Sequence, residues 1–250
     1  MPETKTISCT QIIGLIQNLT GPKIDFRSPQ IQEAAANGRR THQRLLSPSN
    51  LLPQQACLPG FTIEDPTFPL PPDAIFSIKE RPLEGQISSR VPRVPRVTLT
   101  GRIDRHIGLT EANFAAEIKP RSQHYDPKTG TYTEINWLYP LQAAYSCLLC
   151  HLENPDLPVH GLLYYYQEED YYALEEGAPS TWPLITEIAL LCARLLDQPY
   201  SPSRKKTGDE IKDLLPEAKA SLLAAFSYLP LSSPPDPLTF LRENLHRQSL

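Results

Sequence analysis

Apolar and polar positions repeat with two different periods along this chain, and the switch between them marks the elements. From Arg96 to Ile107 the apolar residues Val97, Leu99 and Ile103 fall at every second place, with Gly101 in the same phase, which predicts a strand. Ala74–Glu80 and Asn113–Lys119 read the same way, and the short turn near Leu109–Ala112 makes the second and third strands a hairpin. Gly161–Tyr166 and Asp170–Leu174 form a further strand pair. Helical spacing appears over Thr10–Leu19, where Ile12, Ile13, Leu15 and Ile16 make an apolar face that Gly21-Pro22 stops. A second helix starts at Ser28, a capping residue followed by Pro29, and runs to about Leu46. Trp137–Leu152 is a third, ended by Asn154-Pro155; Trp182–Leu196, Gly208–Tyr228 and a short Pro237–His246 follow.

Breakers fill the remainder. Prolines and polar residues from Ser47 to Pro72 exclude a long regular element and predict an ordered, irregular loop. The repeat Arg90-Val-Pro-Arg-Val-Pro-Arg96 excludes a central strand, and Asp126-Pro-Lys-Thr-Gly130 places a turn in a polar loop after the third strand. The order of elements predicts an α/β or α+β core, a mixed central sheet flanked by helices, with extra helices at the C-terminal end. A length of 250 residues fits one domain over 1–250: a core of about 28–176, an N-terminal helical extension over 1–27 and a helical region over 177–250.

Composition narrows the functional classes. No apolar run approaches the length needed to cross a bilayer, which argues against a membrane protein. Met1–Ile12 lacks the apolar centre of a signal peptide, so the expected location is cytoplasmic. Five cysteines make an odd number for a disulfide framework, and Cys147-x-x-Cys150 has no second pair to complete a tetrahedral metal site, which favours core packing. A net charge of −4 argues against nonspecific coating of nucleic acid, so any such contact must be local. The local cationic clusters are Arg39, Arg40 and Arg44; Arg90, Arg93 and Arg96; Arg102 and Arg105; and Lys119 with Arg121. Taken alone, each reads first as a solvated face, and only closeness to the motifs below raises its functional weight. The tyrosines 164, 165, 166, 171 and 172 are ordinary strand residues before they are a stacking platform.

Chemistry concentrates in one hairpin. Gly101-Arg-Ile-Asp104 lies on the second strand and Glu117-Ile-Lys119 on the third. Glu117 and Lys119, two apart in a strand, share a face, and Asp104 on the partner strand can approach them. Two carboxylates suit a Mg²⁺-type cation, which prefers oxygen ligands and keeps waters, and a lysine beside them suits charge compensation in phosphodiester hydrolysis. The bare [DE]-x-K pattern is common: Glu3-Thr-Lys5, Asp126-Pro-Lys128, Glu210-Ile-Lys212 and Glu217-Ala-Lys219 also match. Only Glu117 stands on a strand with an acid across the hairpin.

Gly38-Arg-Arg-Thr-His42 in an early helix, then Gly101-x-x-Asp104, Glu117-x-Lys119 and a following helix with Gln142 and Tyr145 occur in that order along the chain. Over about Gly38–Leu174 this resembles the PD-(D/E)XK nuclease superfamily in its RecB-like exonuclease branch. The resemblance implies a restriction-endonuclease-like core, with His42, Asp104, Glu117 and the Ile118 backbone carbonyl as metal ligands and Lys119 as the catalytic lysine. It further implies that Gln142 and Tyr145 contact nucleic acid or brace the site, with Arg39, Arg102, Arg105 and Arg121 among the nucleic-acid contacts. The branch's usual Q-x-x-x-Y spacing is three here rather than four, and Tyr139 competes with Tyr145 as the partner of Gln142. No late cysteine triplet follows Cys192, so an iron–sulfur cluster of the kind held by the CRISPR-adaptation relatives is not expected.

These features lead us to expect a Mg²⁺- or Mn²⁺-dependent nuclease acting on DNA near single-stranded ends. The alternative is an inactive PD-(D/E)XK subunit that binds nucleic acid or scaffolds a repair, replication or defence complex.

Overall fold

The computed structural model describes residues 5–21, 76–88, 96–119, 123–126, 131–165, 170–174, 181–198 and 201–229, together with the helical residues 32 and 36. In chain order the elements are β1 (Lys5–Ser8), α1 (Cys9–Thr20), β2 (Phe76–Ile87), β3 (Val97–Gly108), β4 (Asn113–Lys119), β5 (Gln123–Asp126), β6 (Thr131–Ile135), α2 (Leu138–Glu153), β7 (Val159–Tyr165), β8 (Asp170–Leu174), α3 (Trp182–Asp197), α4 (Pro202–Ala225) and β9 (Phe226–Leu229). The chain is a mixed α/β protein whose seven-stranded sheet combines parallel and antiparallel pairs.

The arrangement around β3 positions everything that follows. β2 pairs antiparallel with β3 along its whole length, from Phe76↔Gly108 to Ile87↔Val97, and so takes one edge of that strand. The other edge is shared. β1 runs parallel to its first part, Lys5↔Val97 to Ser8↔Thr100, and β4 antiparallel to its last part, Arg105↔Ala116 to Gly108↔Asn113. Residues 101–104 therefore border a notch where one neighbour has ended and the next has not begun. β4 continues parallel to β7, from Asn113↔Val159 to Lys119↔Tyr165, and β8 and β9 extend the sheet beyond it.

Helix α1 turns into place because Ser8 and Gln11 form a capping box: the Gln11 amide donates to Ser8 Oγ at 3.1 Å and the Ser8 amide to Gln11 Oε1 at 2.9 Å. Its Cys9, Ile12 and Ile16 join Leu99 and Ile103 of β3, Leu141, Leu148 and Leu149 of α2, and Ile185 and Ile188 of α3 in the main core. Close packing fixes Gly101, where an added Cβ would lie 2.6 Å from Leu149 Cδ1 and 3.1 Å from Cys9 Sγ. Helix α2 is also anchored at its far end, where Arg81 of β2 donates to Glu153 at 2.7 Å.

Several expectations are corrected by the fold. Lys5–Ser8 is a strand, recruited by pairing with residues more than 90 positions away. The polar loop after β4 contains the antiparallel β5–β6 hairpin, with Tyr125 opposite Tyr132. The last long helix begins at Pro202, earlier than Gly208, and stops at Ala225, because Phe226–Leu229 pairs with β8 instead. The first predicted strand is longer than its apolar segment and runs through Pro82 and Gly85; among the described residues it borders only β3, so a proline is tolerated at this edge. Of the expected helix Ser28–Leu46 only residues 32 and 36 are described, both helical; the loop Ser47–Pro72, nearly all of the Arg90–Arg96 repeat, positions 127–130 of the Asp126–Gly130 turn and the Pro237–His246 helix lie outside the described residues.

Candidate metal centre and its lysine

The β3–β4 ladder ends at Arg105↔Ala116. The next cross-strand pair would be Asp104 and Glu117, and here the pairing stops, short of the stretch of β3 that pairs with β1. Asp104 fills the opening with its side chain: Oδ2 accepts the backbone N–H of Ile118 at 2.8 Å. A carboxylate thus replaces the lost backbone acceptor, which keeps the amide satisfied and fixes the acid at the notch.

Glu117 lies beside it and is completely buried. Three donors converge on its carboxylate: Ser146 Oγ donates to Oε1 at 2.7 Å, while Gln142 Nε2 and Lys119 Nζ each donate to Oε2 at 2.8 Å. Lys119 Nζ is also 3.7 Å from Asp104 Oδ2, so one ammonium stands against both acids. Gln142 and Ser146 are four apart on α2 and therefore occupy one face of that helix, aimed at β4.

Burial pushes the Glu117 carboxyl up to about 7; the neighbouring ammonium of Lys119 opposes this and the charge of Asp104 adds to it. For Lys119 burial disfavours the charge, but Glu117 and then Asp104 outweigh it and hold the ammonium above its ordinary range. Burial, more than the charge of Asp104, is thus what disfavours the ionised form of Glu117. A further positive charge at the notch would favour that form, and a pair of carboxylates suits a divalent cation of the hard, oxygen-seeking kind. Asp104 and Glu117 are the side chains that could hold it, with the backbone of Ile118 already at the notch. Among the described residues no group of three or more His, Cys, Asp or Glu side chains forms a metal cage. Such a two-acid site leaves coordination positions to water.

The sequence-derived residues divide as follows. Asp104, Glu117, Lys119 and Gln142 are brought together. Tyr145 is not: it is fully buried and its Oη donates to the Ile185 carbonyl of α3 at 2.8 Å, so a contact with nucleic acid is ruled out by its place in the core. Its hydroxyl is taken up by α3 rather than by Glu117. Arg105 is fully buried too, on the side of β3 opposite to Asp104, which removes it from any surface contact. Arg102 is exposed and faces Glu80 at 3.9 Å. His42, Arg39 and Arg121 lie outside the described residues. Ser146 was not expected; its spacing of four from Gln142 was the available signal.

No protein-family model matches the chain, and no curated protein matches it. It is similar to a solved structure described as the crystal structure of SSO0001, at a TM-score of 0.37 and 12% identity, over 82% of this chain and 84% of that one. Among the described residues no helix is long and apolar enough to cross a membrane.

Proposed function

We propose that this chain is a Mg²⁺- or Mn²⁺-dependent nuclease of the PD-(D/E)XK type that hydrolyses phosphodiester bonds in DNA in the cytoplasm. The observation that carries the reading is the convergence of Asp104, Glu117 and Lys119 at the split between β3 and β4. The preference for single-stranded ends rests on the resemblance to the RecB-like branch alone.

Asp104 and Glu117 would hold the cation, with the Ile118 carbonyl as a further ligand. When bound, such an ion acidifies a coordinated water and screens the phosphate. Each residue then has a separable task. Ser146 and Gln142 occupy both oxygens of Glu117 and keep its carboxylate from rotating. Lys119 supplies an ammonium that donates to the attacking water or to the phosphate oxygens, where negative charge grows as water adds to phosphorus and the ester bond breaks. Burial of the pair in a low-dielectric notch strengthens these interactions.

The test is incubation of the purified chain with end-labelled single- and double-stranded DNA and RNA, in Mg²⁺, Mn²⁺ or chelator. Cleavage that needs the metal and disappears in Asp104→Ala supports the reading. Binding of nucleic acid without any cleavage would favour the scaffold alternative.

A further inference from the structure

Lys119 has a third neighbour to which the proposed hydrolysis assigns no task. Its Nζ stands 5.8 Å from the centre of the Tyr139 ring, within the range over which an ammonium is attracted to the negative face of an aromatic ring. Tyr139 precedes Gln142 by three residues and Ser146 by seven on α2, so all three lie on the helix face turned toward Glu117 and Lys119. The ring is half-buried and is backed by Tyr165 at 6.3 Å, which in turn meets Tyr172 edge-on at 5.5 Å. Ala143 and Leu163 complete this small apolar cluster, separate from the main core.

We propose that Tyr139 is a positioning residue that holds the Lys119 ammonium at the notch through its ring face; this rests on the reading of Lys119 as the catalytic lysine. Among the described residues, the other partners of Lys119 are Glu117 from β4 and Asp104 from β3, at 2.8 and 3.7 Å. Both are carboxylates that the proposed function shares with a divalent cation. A cation on those acids competes with the ammonium for their charge and repels it, so the grip on Lys119 loosens when the site is loaded. The stem of a lysine is long and flexible, and a loosened ammonium moves toward water. An uncharged ring attracts the ammonium through its quadrupole, and that attraction does not depend on the carboxylates. One face of α2 thus fixes both chemical groups: Gln142 and Ser146 the acid, Tyr139 the lysine.

The test combines nuclear magnetic resonance of the full chain, with and without Mg²⁺, and cleavage kinetics. In the wild type the ring current of Tyr139 shifts the ε-methylene protons of Lys119 upfield of those of the exposed Lys206 and Lys212, and the shift persists in Mg²⁺. Tyr139→Phe keeps that shift and the wild-type rate. Tyr139→Leu loses it and lowers kcat roughly fivefold, with KM held within about twofold. An unshifted Lys119 in the wild type overturns the proposal even if Tyr139→Leu fails to fold. Loss of shift and rate in Tyr139→Phe overturns it as well, because the hydroxyl rather than the ring would then be responsible. A shifted Lys119 in a protein that cleaves nothing contradicts the nuclease reading and leaves the contact standing.

Discussion

Glu117 holds its proton more tightly in the folded chain than in the unfolded one, since burial raises its pKa from 4.5 to about 7. The native state then binds more protons than the unfolded state between those values, so this residue's contribution to stability falls as pH rises from about 4.5 to about 7 and is level above. Glu117→Gln keeps the shape without the charge. The stability of the wild type relative to this variant should decline across that window, measured by denaturant midpoints at pH 5 and pH 8; a constant difference would contradict the pKa assigned to the buried acid. At pH 8 Mg²⁺ should raise the Tm of the wild type and leave Glu117→Gln unmoved, because only the ionised acid gains from the ion. At the same scale, Ser146 shows what spacing concealed. The motif pairing of Gln142 with Tyr145 was legible as two polar-tipped residues on one helix, but which of several neighbours turned toward Glu117 depended on the rotation of α2 against β4, and that is a property of packing.

Helix α2 separates two roles along its sides, and substitutions on each should read out differently. Tyr145 belongs to the core side: Tyr145→Phe removes its hydrogen bond to the Ile185 carbonyl and should cost about 1 kcal/mol of stability while leaving cleavage unchanged. A loss of cleavage at full stability would return Tyr145 to the site. Gly101 on β3 marks where α1 and α2 meet the sheet; Gly101→Ala forces a methyl toward Leu149 Cδ1 and Cys9 Sγ and should destabilise by roughly 1–3 kcal/mol in a urea titration. Elements with strong local signals were readable in sequence. Asn113–Lys119 alternates and borders a short turn, α1 carries its own stop in Gly21-Pro22, and Glu210 and Glu217 fall in a helix as their surroundings indicated, whereas Asp126, read as a turn residue, closes strand β5. Lys5–Ser8 and Phe226–Leu229 were not readable. Each is four residues long and exists through a partner strand distant in sequence, so no local period announces it.

At the scale of the whole molecule, the site is a consequence of topology: β1 and β4 share one edge of β3, and the notch between them is where Asp104 leaves the ladder to meet Ile118 and Lys119. The hairpin that carries the acids was evident from alternation, whereas the notch needs β1, whose pairing the sequence does not signal. That division explains why Asp104, Glu117 and Lys119 could be grouped from the sequence while the side chains around them could not. The central claim is that the notch uses a bound ion and a lysine for separate purposes, and Lys119→Ala tests it most directly, because both carboxylates remain. Calorimetric titration with Mn²⁺ alongside single-turnover cleavage of end-labelled DNA is the measurement. The account predicts that the variant binds Mn²⁺ at least as tightly as the wild type, a nearby positive charge having been removed, while its cleavage rate falls on the order of 100- to 1000-fold. A variant that cuts DNA at the wild-type rate in Mg²⁺ would contradict it.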